Sequence, residues 1–546
     1  MHVIPLAHRR VRARAGFAVR LARLERLPYP IGWLAPGHRH LFLRARRPAH
    51  PDSFVERRLP RAAGTRAAQS HPRRRPRRSR PVNLIEEIAR RHDPATLAVV
   101  SGNRRVTYGE LFEQARQIAG LIPSTGRIAR VGLQCPNGVS YIVLSMGVLL
   151  SGACLVPLAE ELTDAERAEI AATTSLDFIL AADELAWHGP EEIIAAAESD
   201  GTPWKLHRGM NRTPAFPEDG FQALNPAFIR FSSGTTGTSK GVVLSHETLL
   251  ARITAANEGL QIGPCDRVLW MLPMAHHFAV SIVLYLHAGA TTVLEHSSMR
   301  EDILATAEKH AATVIYGSPF HFAMLSGDTG GFMWPDLRLA VATASALPEA
   351  TAHAFDRRFG KPLHQGLGII EVGLSVINLD AAREKPMSLG KPLPAYEVEL
   401  RDDEFHVRGP GLLDAYLVPW NPSPLDDGWF ASGDLVRRDD DGHLFLMGRR
   451  KSVINVAGMK VFPEEVERVL NDHPAVARSR VLGREHLQMG QVPVAEIIPA
   501  DPAAPPKPVE LQRHCKAVLS AYKVPMVFRM VDELPLTASG KIKRLA

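Results

Sequence analysis

Residues 231–241 read FSSGTTGTSKG, a run of hydroxyls and glycines that closes on one lysine and follows the apolar residues Ala227, Phe228 and Ile229. Glycines such as Gly234 and Gly237 leave backbone N–H groups free to form an anion-binding nest. The hydroxyls of Ser232, Ser233, Thr235, Thr236, Thr238 and Ser239 can donate to oxyanions or ligate a divalent cation. Lys240 adds a point charge. The spacing departs from a Walker A loop, in which four residues separate the first glycine from Gly-Lys-Ser/Thr; here Gly241 follows Lys240. On composition alone, such a run reads equally well as a solvated linker. Its flanks shift the balance. A β-like run precedes it, and Val242, Val243 and Leu244 lead from it into the helix-like HETLLARITAANEGL. A loop between two packed elements is held in shape, so the run reads as a phosphate cradle.

The 546 residues suffice for more than one domain, and 45% hydrophobic content is that of a soluble globular enzyme. The formal charge of +7 is unevenly placed. Residues 1–80 hold 21 arginines, no lysine and only Glu25, Asp52 and Glu56, a net +18; the other 44 basic and 55 acidic residues leave the remainder at −11. The basic total is therefore no argument for nucleic acid, because it is not spread over a folded face with interleaved aromatics. Three readings fit residues 1–81: a disordered Arg-rich arm, a targeting-like presequence, or a start placed too far upstream. The last is favoured, since globular-looking sequence begins at Val82 and a bacterial gene can start on a valine codon.

Cys135, Cys154, Cys265 and Cys515 are scattered, without metal or redox spacing, which suits a reducing cytoplasm. Residues 139–159 are uncharged and long enough to raise a membrane span. Ser151, Gly152 and Pro157 interrupt them, so the run reads as helix, turn and strand. Thr107 with Glu110, and Thr163 with Glu166, fit capping boxes at helix starts. Apolar strands alternate with helical periods to about residue 390, which predicts α/β layers with parallel pairing. Between about 386 and 447, short strands and tight turns predict a β-rich part. From Arg449 a unit of about a hundred residues reads as strand, the helix PEEVERVLNDHP, strand, the Pro-rich DPAAPPKP, helix, strand and a final loop.

The cradle resembles the signature loop of the AMP-forming adenylate synthetase superfamily, which includes acyl-CoA synthetases, aryl-CoA ligases, luciferases and the adenylation domains of peptide synthetases. Further segments carry the likeness over about 82–546. The resemblance implies an α/β fold: a large multi-subdomain AMP-binding domain over 82–448, with a small β-rich subdomain, and a small mobile α+β domain over 449–546. It implies ATP, Mg2+ and coenzyme A as cofactors. HQGLGIIEVG puts Glu371 at the magnesium ligand's position, with Thr235 of the cradle nearby; its apolar flanks argue against a merely solvated glutamate. Leu367 stands where the family has a tyrosine on adenine, and Ile370 where it has a threonine on phosphate. Leucine packs on a base without aromatic stacking, and isoleucine offers no hydrogen bond.

In DDGWFASGDLVRRDDDGHLFLMGR, Asp434 takes the position of the carboxylate that holds both ribose hydroxyls, and Arg449 that of the arginine near ribose and phosphate. Lys451 takes the hinge position, and Gly458 in NVAGMK that of the glycine beside the pantetheine tunnel. Ala344 and Ser345, in TASALP, match the small-residue loop beside adenine. LPLTASGKIKR gives Lys541 as the catalytic lysine, bridging substrate carboxylate and α-phosphate. In LPMAHHFAVS, His276 matches the histidine that gates the acyl pocket, although a histidine among apolar residues is often a satisfied core group.

Amino-acid-activating relatives carry an aspartate near this point to pair with the substrate ammonium, whereas residues 271–285 contain no acid. A fatty or aryl acid is therefore expected, with Phe278, Phe320, Gly366 and Val372 at the pocket floor. The implied function is ATP-dependent acid–thiol ligation through acyl-AMP to coenzyme A. One alternative loads the phosphopantetheine of a separate carrier protein. Another, motivated by Leu367 and Ile370, is a non-catalytic nucleotide- or acyl-binding relative. Neither nucleic acid nor a membrane span is expected.

Overall fold

The computed structural model describes residues 81–183, 185, 192–210, 212–231, 240–343, 345–536 and 542. The chain divides into two units between Arg75 and Pro76, and all described residues belong to the second. Two mixed β-sheets build most of it. The first runs Lys391–Pro392, Gly373–Ile377, His364–Ile369, Leu339–Ala342, Val314–Gly317, Arg267–Trp270, Thr291–Leu294, Leu97–Ser101, Arg104–Thr107. The second runs Ala415–Tyr416, Gly241–Ser245, Pro226–Phe231, Cys154–Pro157, Arg130–Gln134, Phe178–Ala182, Thr202–Arg208, Ile193–Ser199.

Both sheets are parallel at the centre, as the alternation of strands and helices predicts. Their margins are antiparallel. The difference has a simple cause: Asp200 and Gly201, or residues 370–372, are too few to carry a parallel crossover.

Strand side chains alternate between layers. Val268 and Trp270 enter the main core, which also takes Val131, Leu133, Leu155 and Phe228 of the second sheet. Leu269 enters the core under the helices Arg300–Lys309, Pro319–Ser326 and Glu349–Phe359. The helix Val139–Leu150 lies in the main core with all but its last residue buried. Burial on every side explains its unbroken apolar sequence, and the strand Cys154–Pro157 follows the turn as expected. No described helix is long and apolar enough to cross a membrane. Both capping boxes form, Thr107 with Glu110 and Thr163 with Glu166.

Residues 397–449 make a four-stranded antiparallel sheet of Glu397–Arg401, Glu404–Arg408, Phe430–Arg438 and Leu444–Arg449. Residues 454–530 have a sheet and a core of their own. The helix Pro463–Asn471 turns Val466, Val469 and Leu470 onto that core beside Val481, Ala495, Ile497, Leu511 and Cys515. These residues recur every three or four positions, the spacing of one helix face.

Candidate active site

The strands Pro226–Phe231 and Gly241–Ser245 pair antiparallel and bracket the cradle. Ser232, Ser233, Gly234, Thr235, Thr236 and Gly237 lie outside the described residues, as do Ala344 and Lys541. Lys240, at the cradle's end, is described and exposed. Its ammonium stands 4.6 Å from the centroid of the Tyr416 ring, within cation–π range.

Tyr416 lies on the two-residue edge strand Ala415–Tyr416, which pairs with Val242 and Val243 directly beyond the cradle. Its hydroxyl donates to Oε1 of Glu371 at 3.2 Å. Burial, then the Glu371 carboxylate, pushes the phenol pKa far above its ordinary value, so it remains a donor. Glu371 itself occupies the turn between His364–Ile369 and Gly373–Ile377. It is half-buried, and its backbone carbonyl accepts from Leu413 N–H at 2.8 Å.

Arg252, on the helix His246–Leu260, fixes both loops that meet there. Its Nε donates to the Gly411 carbonyl at 2.8 Å and its Nη1 to the Ile370 carbonyl at 2.9 Å. Gly373 and Gly411 both have positive φ, at 86° and 75°. A Cβ on either would sit 2.6 Å from an Arg252 carbon, so glycine is required twice over. Burial pulls this guanidinium down to about 10, opposed by Tyr396, Glu371 and Asp414.

Arg230 adds a second cation. Its Nη1 donates to the His276 carbonyl at 2.5 Å. Burial brings its pKa to about 10, against the pull of Glu371. His276 lies on the short helix Met274–His277, with Nε2 3.9 Å from Glu161. Phe278 follows, fully buried against Tyr141.

Asp434 and Arg449 face each other across the antiparallel pair Phe430–Arg438 and Leu444–Arg449. Asp434 is 2% exposed, with Arg449 Nε at 2.6 Å from Oδ1. Its own N–H donates to Ser432 Oγ at 3.0 Å, and Gly433 N–H donates to Glu404 at 3.0 Å. The carboxylate is therefore locked in place.

The remaining expected residues are more scattered. Leu367 is half-buried against the main core. Ser345 is exposed. Lys451 is exposed in a single 3₁₀ turn, Arg450–Ser452, directly after Arg449. Gly458 and Ala457 both have positive φ, in the tight turn joining Ile454–Val456 to Met459–Val461. A Cβ on Gly458 would meet nothing within 4 Å, so the turn's backbone accounts for this glycine. Phe320 needs correction: it is 69% exposed, and Phe322, two residues on, points inward instead. An apolar helix segment does not by itself say which of its rings faces the core. Tyr416, Arg230 and Arg252 were missed, since nothing in their local sequence marks partners so far along the chain.

Comparison with known proteins identifies the family. The model of the AMP-binding enzyme family matches residues 85–417, and that of the AMP-binding enzyme C-terminal domain matches 465–541. A 2-succinylbenzoate–CoA ligase of Bacillus licheniformis is 29% identical over 482 residues, covering 83% of this chain and 96% of the relative. A long-chain-fatty-acid–CoA ligase of Yersinia pestis is 31% identical over 342 residues, covering 58% of this chain and 60% of the relative. Among solved structures, the o-succinylbenzoate CoA synthetase of Bacillus subtilis, in complex with its acyl-adenylate intermediate, superposes with a TM-score of 0.73 at 26% identity. That superposition covers 85% of this chain and 97% of the other. By the extent of the family match, the chain belongs to the AMP-binding enzymes, the AMP-forming adenylate synthetase superfamily.

Proposed function

We propose that the protein is an ATP-dependent acid–thiol ligase. It joins a fatty or aryl carboxylate to AMP with release of pyrophosphate, then passes the acyl group to the thiol of coenzyme A with release of AMP. The observation that carries this reading is the meeting of Glu371, Tyr416 and Lys240 at the end of the cradle. The relatives support it, since those named above ligate acids to coenzyme A and one was solved with an acyl-adenylate.

In this reading Lys240 and the cradle hydroxyls hold the phosphates, and Lys541 meets the reacting carboxylate. Asp434 and Arg449 hold the ribose, while Ala344, Ser345 and Leu367 pack beside adenine. His276 borders the acyl pocket. Lys451 is the hinge by which the C-terminal domain, 449–546, turns between half-reactions, and Gly458 lies beside the thiol's path. The donor set suits Mg2+, which keeps several waters and takes one or two carboxylates together with substrate phosphates. Glu371 offers such a carboxylate, which among the described residues accepts a hydrogen bond from the Tyr416 phenol, and Thr235 would stand beside it. Bound there, the ion would neutralise charge on the phosphates. Cytoplasm is the compartment this reading assigns.

A panel of carboxylic acids in a pyrophosphate-release assay, with and without coenzyme A, tests the proposal. Acid-dependent release together with acyl-CoA formation is expected. Product only with a holo-carrier protein would replace coenzyme A as acceptor. A chain that binds ATP and releases no pyrophosphate with any acid would overturn the ligase reading.

A further inference from the structure

The carboxylate that accepts from Gly433 has a second task at the other end of the same sheet. Glu404 opens the strand Glu404–Arg408 and is 6% exposed. It stands at a break in the ladder with Phe430–Arg438: Glu404 pairs with Leu435 but His406 with Ala431. Ser432, Gly433 and Asp434 therefore stand opposite Phe405 alone, a bulge that costs backbone groups their ladder partners. Glu404 Oε1 replaces one of them, accepting from Gly433 N–H at 3.0 Å directly beside Asp434.

Its other oxygen, Oε2, accepts from Arg450 Nη1. His406 Nε2 stands 3.8 Å from that oxygen, beyond hydrogen-bond reach. Arg450 follows Arg449, which Asp434 holds, so two successive guanidiniums are tied to two buried carboxylates on neighbouring strands. Both ties precede Lys451. Beyond it, Ile454 is 2% exposed and belongs to the core of residues 454–530. The link between the tied arginines and that core is thus Lys451, Ser452 and Val453, in and just after the 3₁₀ turn Arg450–Ser452. An exposed arginine in a surface pair contributes little. Arg450 differs, because its partner is buried and would be left without a guanidinium.

We propose that Glu404 is a positioning residue that fixes the stationary end of the hinge and the ribose carboxylate together. The proposal rests on the ligase reading above, in which the C-terminal domain turns at Lys451. With Arg450 clamped, the turn is confined to three residues and follows one axis. Without the clamp, slack spreads back to Arg450 and the axis wanders. A contact that the turn must part lies close by: a Cβ on Gly448 would sit 2.6 Å from Glu464 Oε2 and 3.3 Å from Phe462 Cδ1. Gly448 precedes the hinge, whereas Phe462 and Glu464 follow it. That contact therefore belongs to one arrangement of the domain, while the clamp, wholly on the near side of Lys451, serves every arrangement.

The test places spin labels on the full chain, at the exposed Cys265 and at Leu487→Cys in the C-terminal domain, and reads the spread of distances between them. Cys135, Cys154 and Cys515 are buried and stay unlabelled. Narrow populations are expected with the clamp intact. Arg450→Met broadens them about twofold and slows acyl-CoA formation roughly three- to tenfold. Its Kd for ATP stays within about twofold, since Gly433 keeps its acceptor. Arg450→Lys restores most of the narrow spread. Glu404→Leu broadens the distances as far and also weakens ATP about tenfold, because the bulge beside Asp434 loses its acceptor. If Arg450 only neutralises Glu404, Arg450→Met lowers Tm and leaves distances and rate unchanged, and the proposal falls. It falls too if Glu404→Leu changes the distances or ATP binding but not both. Distances that broaden in Arg450→Met, in a chain that releases no pyrophosphate with any acid, would sink the ligase reading and leave the clamp standing.

Discussion

Glu371 and Asp434 are both carboxylates of the candidate site, yet the two regions hold them in opposite ways. Asp434, on the hairpin of Phe430–Arg438 and Leu444–Arg449, is 2% exposed and has a guanidinium nitrogen 2.6 Å away. Glu371, in a three-residue turn, is half-buried and receives one neutral hydroxyl at 3.2 Å. A buried charge needs a partner, and Asp434 has one. That partner neutralises it and fixes its direction, which suits an acceptor for uncharged hydroxyls. Glu371 has Arg230 and Arg252 among its electrostatic neighbours, but among the described residues its carboxylate accepts a hydrogen bond from a phenol and from no guanidinium. The difference lies in how closely the countercharge is held: a guanidinium at hydrogen-bond distance for Asp434, and arginines acting only through space for Glu371.

Replacing Glu371 by Gln is the harshest test of this contrast. Acid-dependent pyrophosphate release should fall by about 10³-fold and demand far more Mg2+. A loss below tenfold would break the contrast. Asp434→Asn should act more gently, raising KM for ATP by roughly ten- to thirtyfold with a smaller change in kcat. Combined with Arg449→Met its effect should be less than additive, because the two side chains are one unit. Tyr416→Phe should cost about 1 kcal/mol, or roughly fivefold in kcat/KM, as the loss of one hydrogen bond. The smallest effect should be a gain: Leu367→Tyr, measured as KM for ATP, lowers it about two- to tenfold if the ring stacks on adenine.

Much of the fold was legible because its signals are local. The capping boxes at Thr107 and Thr163 span four residues each, and the helix–turn–strand at 139–157 is punctuated by its own glycine and proline. Apart from the short hairpin that VVSGNRRVTY spells at 99–108, which forms as the pair Leu97–Ser101 and Arg104–Thr107, the antiparallel sheet margins were not foreseen, since pairing direction depends on which strands end up adjacent. In the site, Glu371, Asp434 and Arg449 were found through motif resemblance, and the structure brings the last two into contact. Tyr416, Arg230 and Arg252 carry no motif. Their partners lie 45, 46 and 118 residues away, distances at which only the folded chain connects them. Phe320 misled because hydrophobicity was legible while facing was not.

The edge strand Ala415–Tyr416 has a consequence for how this site could be lost or changed. Successive side chains on a strand point to opposite faces, so slipping it by one residue would swing the phenol away and offer Glu371 the side chain of Ala415 or Leu417. The phase is pinned on both sides. Leu417 N–H donates to the Gly241 carbonyl at 2.7 Å, and Asp414 N–H to that of Val243 at 3.1 Å. The Asp414 carboxylate in turn accepts from Ser245 and Thr248. A single-residue insertion ahead of Asp414 would therefore be taken up in the loop before it and leave the phenol on Glu371, whereas one between Asp414 and Tyr416 would carry the phenol off.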